Sequence, residues 1–302
     1  VSGGRTYLVG LIGSGIGPSL SPALHEREAE RLGLRYVYRL IDLDGTGASP
    51  GAPGPGDASP GRTGELVRAA RELGFDGLNI THPCKQAVIP HLDALAPQAE
   101  ALGAVNTVVF DGRRSVGHNT DVTGFASSFA RGLPDATVDD VVLLGAGGAG
   151  AAVAHAMLGL GTQRLTVVDT EPGRASGLAG SLARHFGDGR ACVAGLQDLG
   201  ARLAHADGLV HATPTGMAAH PGLPVPAEAL HPGLWVAEVV YRPLRTELLG
   251  AARALGCRVL DGGGMAVFQA ADALRLFTGL EPERERMLAD FRELAEAPGV
   301  HL

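Results

Sequence analysis

Lysine occurs once in this chain, at Lys85, while arginine carries the rest of the basic side-chain charge. A guanidinium stays protonated and exchanges no proton near neutral pH, whereas a partly desolvated ammonium has its pKa lowered enough to do so. Lys85 closes the run Asn79-Ile80-Thr81-His82-Pro83-Cys84-Lys85, where an apolar strand at 78–80 gives way to a helix opening around Pro83. The placement suits proton transfer to or from a reacting oxygen.

The second constellation is Gly145-Ala146-Gly147-Gly148-Ala149-Gly150, which satisfies GxGxxG with glycines at 145, 147 and 150. Its context gives it meaning: a strand at Val141 to Leu144 before it, a helix at Ala151 to Leu160 after it, then a strand at Leu165 to Val168 ending in Asp169. Glycines serve there because the turn is tight, because backbone must approach a pyrophosphate, and because helix must pack close to strand. The phosphates then meet unpaired amides at the helix N-terminus. A carboxylate closing the second strand accepts hydrogen bonds from ribose hydroxyls and repels a 2′-phosphate, so Asp169 points to NAD rather than NADP. Arg174 lies five residues on. An arginine that bound a 2′-phosphate would replace or directly follow the acid, and Thr170 and Glu171 stand there instead.

These groups need a framework, and 302 residues suffice for two medium-sized cores. Strand-like and helix-like runs alternate almost throughout, which predicts an α/β class with parallel sheets covered by helices. Strands are expected near Tyr7 to Ile12, Tyr36 to Ile41 and Gly77 to Ile80, a pair near Val105 to Phe110 and Ser115 to Gly117, and helices near Pro22 to Leu32 and Gly64 to Leu73. The segment Asp44 to Arg62, dominated by Gly, Pro, Ala and Ser, reads as a mobile surface loop. Regular βα units run from the helix after Asp121 to about Leu260. Two final helices, near Met265 to Phe277 and Pro282 to Leu294, have no strand after them and are expected to pack back on the first domain.

A formal charge of -7, with 32 acidic against 25 basic residues and no basic run, leaves no electrostatic footprint for nucleic acid or an anionic membrane. Val141 to Gln163 lacks charge over a length that spans a bilayer, but its glycine cluster and His155 favour a buried strand and a glycine-opened helix. Three scattered cysteines make neither a disulfide framework nor a metal pattern, and the eleven histidines show no ligand spacing, so no metal is expected. Cys84 is read as a packed cysteine. The first residues show no secretory pattern. A reducing cytosol, a small-molecule substrate and a monomer or homodimer are the expectations.

The chain resembles the shikimate dehydrogenase family, and closely its NAD-using quinate/shikimate branch. The likeness rests on Asn-Ile-Thr-His-Pro-x-Lys-Gln (79–86), Gly-Ala-Val-Asn-Thr-Val-Val (103–109), Gly-His-Asn-Thr-Asp (117–121), the glycine fingerprint and Gly-Met-x-x-x-Gln (264–269), in family order. It implies reversible reduction of 3-dehydroshikimate to shikimate, with a substrate domain at 1–118 and 264–302 and a Rossmann NAD domain at 119–263. It makes Lys85 the catalytic lysine and Asp121 the aspartate beside it, positioning the lysine and holding a ring hydroxyl. It lays the substrate carboxylate on Ser19 and Ser21 and the ring hydroxyls on Thr81, Asn106 and Gln269, with Tyr241 closing the pocket. Ala212-Thr213-Pro214-Thr215-Gly216-Met217 resembles the loop near the nicotinamide, and Val239 and Gly262 align with other cofactor contacts.

The chain departs from the family pattern in places. His82 and Cys84 stand where Val and Phe are more widespread, Glu238 where Asp is common, and Gly263-Gly264 where that branch has Thr-Arg. Ser21 stands where good quinate users carry Thr, which favours shikimate. A quinate or aminoshikimate enzyme is the alternative within the class, and a non-catalytic sensor of NAD and a ring acid the alternative outside it.

Overall fold

The computed structural model describes residues 5–44, 60–112 and 114–296. The chain divides into two compact units, Val1–Thr120 with Ala270–Leu302, and Asp121–Gln269. Most of the Gly- and Pro-rich stretch expected to be a surface loop, 45–59, lies outside the described residues.

The first unit contains β1 (Thr6–Gly13), α1 (Ser21–Arg31), β2 (Arg35–Asp42), α2 (Pro60–Glu72), β3 (Gly77–Ile80), α3 (Cys84–Ala87), β4 (Ala94–Leu95), α4 (Pro97–Leu102), β5 (Thr107–Asp111) and β6 (Arg114–His118). Its six-stranded sheet has the order β2-β1-β3-β5-β6-β4. The near-continuous apolar run of β1 suits a central strand flanked by parallel β2 and β3. The expected strand pair is an antiparallel hairpin within the otherwise parallel sheet: β5 runs antiparallel to both β3 and β6. Only residues 112 and 113 separate β5 from β6, and a parallel return needs a crossover of roughly a dozen residues. The reversal matters, because it sets the start of β5 beside the carboxyl end of β3, with Asn79 opposite Thr107 and Thr107 opposite His118.

The second unit contains α5 (Asp121–Gly132), β7 (Asp140–Leu144), α6 (Gly148–Gly159), β8 (Arg164–Val168), α7 (Pro172–Phe186), β9 (Ala191–Val193), α8 (Leu199–Leu203), β10 (Gly208–His211), β11 (Trp235–Glu238), α9 (Glu247–Ala254) and β12 (Val259–Leu260). The sheet order is β12-β11-β10-β7-β8-β9, and every pairing is parallel. The sequence of strands reverses direction between β7 and β10, which is the doubly wound arrangement with its crevice at that switch point. The uncharged stretch 141–163 resolves into β7 and α6, and no helix among the described residues is long and apolar enough to cross a membrane.

Two last helices follow, α10 (Gly263–Thr278) and α11 (Arg284–Glu296). From Ala270 onward they belong to the first unit. Ala273 and Phe277 join Val9, Leu11 and Tyr38 in one apolar cluster, and the Phe277 ring lies where a Cβ on Gly77 would stand. On α1, Glu28 is fully buried; its carboxylate accepts from Arg286 at 2.6 and 2.9 Å and from the Glu283 amide at 2.8 Å.

Beneath these helices His25 is 1% exposed, with the Tyr38 ring 5.0 Å away and the Tyr36 hydroxyl 3.2 Å from its Nδ1. Burial alone lowers its pKa from 6.5 to about 3. Between those values the unfolded chain holds the extra proton, so the stability gained from a neutral His25 is present above pH 6.5 and is lost as pH falls. A slope of about 1.4 kcal/mol per pH unit is expected from this residue. Urea unfolding of wild type and His25→Phe between pH 4 and 6.5 checks it: the variant should show the shallower slope, and identical slopes would mean that His25 protonates normally in the fold.

Candidate active site

The mixed sheet of the first unit collects polar residues at one edge. Ser19 and Ser21 follow the carboxyl end of β1, Thr81 and Lys85 follow β3, and Asn106 precedes the reversed β5. Backbone bonds lock these segments together: the Thr81 amide donates to Ile12 O, the Ile80 amide to Asn106 O, and the Val105 amide to Lys85 O, all at 2.8–2.9 Å. The Ser21 amide donates to Ser19 Oγ at 3.2 Å. Ser21 is the first residue of α1 rather than its cap, since Leu20 holds the cap position, where its apolar side chain makes no capping hydrogen bond. The helix predicted to open around Pro83 is the single turn α3, and Lys85 is half-buried on it.

Behind this edge runs a buried chain of side chains of which sequence reasoning had given a role only to Asn106. Tyr38 donates to Asn79 Oδ1 at 2.8 Å, and Asn79 Nδ2 donates to Thr107 Oγ1 at 3.1 Å. Thr107 donates in turn to Asn106 Oδ1 at 3.0 Å, and Asn106 Nδ2 donates to Thr120 Oγ1 at 3.0 Å. The Thr120 amide donates to Asn106 Oδ1 at 2.8 Å. Burial pushes the Tyr38 phenol well above its usual range, with a hydrogen bond to Ser21 opposing the shift. Tyr38 therefore acts as a neutral donor, and the network holds Ser21 and Asn106 in set orientations. The available signal was an asparagine inside the otherwise apolar strand β3.

In the second unit the expected glycine loop joins β7 to α6. Gly145 has φ +107°, and a Cβ there would stand 2.7 Å from Ala212 O; one on Gly150 would stand 2.0 Å from Gly145 O. A Cβ on Gly147 would meet open space, and no side chain caps α6. Free amides at a helix start, reached over bare backbone at the switch point, fit the pyrophosphate of a dinucleotide. Asp169 follows β8; its Oδ2 accepts from the Ala146 amide at 2.7 Å and its Oδ1 from the Glu171 amide at 2.8 Å, so the carboxylate ties the glycine loop to the strand end. Arg174 is exposed and pairs with Glu171 at 2.9 Å.

Thr213 follows β10 directly across from Gly145. Val239 follows β11 and packs backbone to backbone with Gly262, where a Cβ would lie 2.4 Å from Val239 O. Gln269 donates to Ala266 O at 2.9 Å, and a Cβ on Gly124 would stand 2.8 Å from its amide nitrogen. Asp121 is 7% exposed and opens α5, while Tyr241 is 37% exposed. Cys84 is buried, and burial pushes its thiol up. Among the described residues no group of three His, Cys, Asp or Glu is arranged to hold a metal.

A family model for the shikimate dehydrogenase substrate binding domain matches residues 11–108. A shikimate dehydrogenase (NADP(+)) of Streptomyces avermitilis is 72% identical over 98% of each chain. The chain belongs to the shikimate dehydrogenase family. A second family member, the quinate/shikimate dehydrogenase (NAD(+)) of Corynebacterium efficiens, is 52% identical over 96% of this chain and 99% of its own. Among solved structures, quinate dehydrogenase from Corynebacterium glutamicum in complex with NAD matches with a TM-score of 0.88 and 48% identity, covering 95% of this chain and 99% of that one. The two-unit α/β architecture is thus that of the family.

The closest backbone approach in the loop yields a direct test. Gly150→Ala forces the Gly145 carbonyl out of place and disorders the amides behind it. Dinucleotide affinity should fall by more than roughly tenfold, the loss of one charge-assisted hydrogen bond, as read by titration of reduced-dinucleotide fluorescence. Wild-type affinity in that variant would show that the loop is not where the phosphates bind.

Proposed function

We propose that this family member catalyses the reversible, NAD-dependent reduction of 3-dehydroshikimate to shikimate. The observation that carries the reading is the edge of the first unit, where Ser19, Ser21, Thr81, Asn106 and the chain's only lysine follow or precede neighbouring strands, with Ser21 and Asn106 fixed by the buried polar network behind them. A carboxylate needs hydroxyl donors near a helix start, which Ser19 and Ser21 supply. Ring hydroxyls need groups that both donate and accept, which Thr81, Asn106 and Gln269 supply. The dinucleotide supplies the hydride. Lys85 then stabilises the negative charge that grows on the carbonyl oxygen and provides the proton that neutralises it. Asp121 takes the family's role of partner carboxylate to that lysine.

NAD is favoured by Asp169, because a carboxylate after the second strand of this unit would repel a 2′-phosphate, and by the pairing of Arg174 with Glu171. A second reading, use of NADP, has its own support in the name carried by the 72%-identical relative. Ser21 favours shikimate over quinate.

Steady-state kinetics with NAD and NADP, each against shikimate, quinate and aminoshikimate, separate these readings. Highest kcat/KM with shikimate and NAD is expected; a protein that binds a ring acid yet reduces neither dinucleotide would instead be a sensor. Lys85→Ala should lose roughly 10²–10⁴-fold in kcat with little change in KM, and near-normal turnover would remove the acid/base role. Asp169→Ala should raise the NADP to NAD ratio of kcat/KM, and an unchanged ratio would assign cofactor choice elsewhere.

A further inference from the structure

At the carboxyl ends of β10 and β11 lies a buried histidine–glutamate pair that the reaction above does not use. His211 and Glu238 are 0% and 1% exposed, with His211 Nδ1 2.8 Å from Glu238 Oε1. The other carboxylate oxygen, Oε2, accepts from the Thr246 hydroxyl, whose own oxygen accepts from the Leu249 amide at 3.3 Å and so caps α9. The second imidazole nitrogen, Nε2, is hydrogen-bonded to Thr213 Oγ1, which also accepts from the Thr215 amide at 3.3 Å. The pair therefore reaches from the start of α9 to a residue facing the glycine loop, where a Cβ on Gly145 would stand 3.0 Å from Thr213 Cγ2.

An ionised Glu238 and a neutral His211 give one consistent set of donors along this chain. The Thr246 hydroxyl gives its hydrogen to Glu238, because its oxygen already receives the Leu249 amide. Glu238 accepts at both oxygens, as an ionised carboxylate does. With the ring taken as neutral, His211 donates from Nδ1 to that carboxylate and takes the Thr213 hydroxyl hydrogen at Nε2. Thr213 Oγ1 is left with one lone pair, having given its hydrogen to the ring and received the Thr215 amide. A freely rotating hydroxyl offers a donor or an acceptor; this one offers an acceptor in a set direction.

In a doubly wound sheet each half receives one mononucleotide of a dinucleotide that spans the switch point. Asp169 follows β8, on one side, and Thr213 follows β10, on the other. With Asp169 at the adenosine half, Thr213 falls to the nicotinamide half. We propose that His211 and Glu238 are positioning residues that fix the Thr213 hydroxyl as a hydrogen-bond acceptor for the nicotinamide-riboside half of the bound dinucleotide. The proposal rests on the reading of this unit as the dinucleotide domain.

The test compares NADH, which has the nicotinamide half, with ADP, which lacks it, by titration calorimetry on the whole chain. Wild type should bind both, and failure to bind either would sink the reading of the domain rather than this proposal. Thr213→Val should weaken NADH about tenfold and leave ADP unchanged, and Thr213→Ser should restore NADH binding. Glu238→Gln should weaken NADH to a similar degree, and the Thr213→Val/Glu238→Gln double variant should be no weaker than either single variant, because both act through one hydroxyl. If Glu238→Gln does not fold, His211→Phe/Glu238→Leu takes its place, since removing both partners of a buried pair leaves no orphaned charge. Additive losses, equal losses for NADH and ADP, or NADH binding unmoved by Thr213→Val would each overturn the proposal.

Discussion

A buried side-chain amide has four hydrogen-bonding sites and no water to satisfy them, and in the first unit that requirement falls on Asn79 and Asn106, 7% and 4% exposed. Asn79 sits on β3 and finds Thr107 on β5 and Tyr38 on β2; Asn106, just before β5, finds Thr107 and Thr120. Those partners coincide only in the observed register, with Asn79 opposite Thr107. A one-residue slip would turn these side chains to the other face and strand them. The same bonds that hold the sheet in register therefore decide which groups emerge at its edge. Lys85 depends on them too, because α3 is one turn long and is anchored by the Val105 amide, one residue from Asn106.

The second unit meets the same requirement with ions rather than amides. Asp169 joins the end of β8 to the Ala146 amide, and Glu238 joins the end of β11 to β10 and α9. A buried charge is expensive unless it is paired and fully hydrogen-bonded, and replacing such a pair by apolar residues often leaves stability intact or improved. Stability is thus a poor reason for His211 and Glu238 to be where they are. Their position at the open end of the parallel strands, where backbone groups are unpaired and ligands bind, gives a better one.

Much of this was legible in the residues. The apolar runs of β1, β3 and β7, the glycine spacing and the acid at 169 located both edges, because strand hydrophobicity and glycine geometry are local properties. The direction of β5 was less accessible, since alternation of strand and helix speaks for parallel pairing and only the shortness of the 112–113 connection speaks against it. The networks behind the edges were legible only in single members such as Asn106 and Asn79, not as connected chains. Tyr38, Thr107 and His211 look like ordinary strand residues; their role arises from partners 27 to 41 positions away in the chain. Glu238 stood out only as a departure from the family pattern, and the structure gives the departure a context: its longer side chain reaches both the His211 ring and the Thr246 hydroxyl.

The first unit is completed by residues that follow the whole of the second in sequence, and the buried carboxylate of Glu28 shows why that return is obligatory. Without α11 the acid on α1 would lose Arg286 and the Glu283 amide, and Asp290 would no longer meet Arg31. Phe277 would leave open the face of the sheet that Gly77 keeps clear for it. Closing a long chain segment costs little more than closing a moderate one, because loop entropy grows only with the logarithm of length. The ionic and apolar contacts made by α10 and α11 need only exceed that slowly growing cost. An entire second domain can therefore be inserted in the sequence between the strands that carry the polar edge and the helices that stabilise it, and the edge keeps its geometry as long as those helices return.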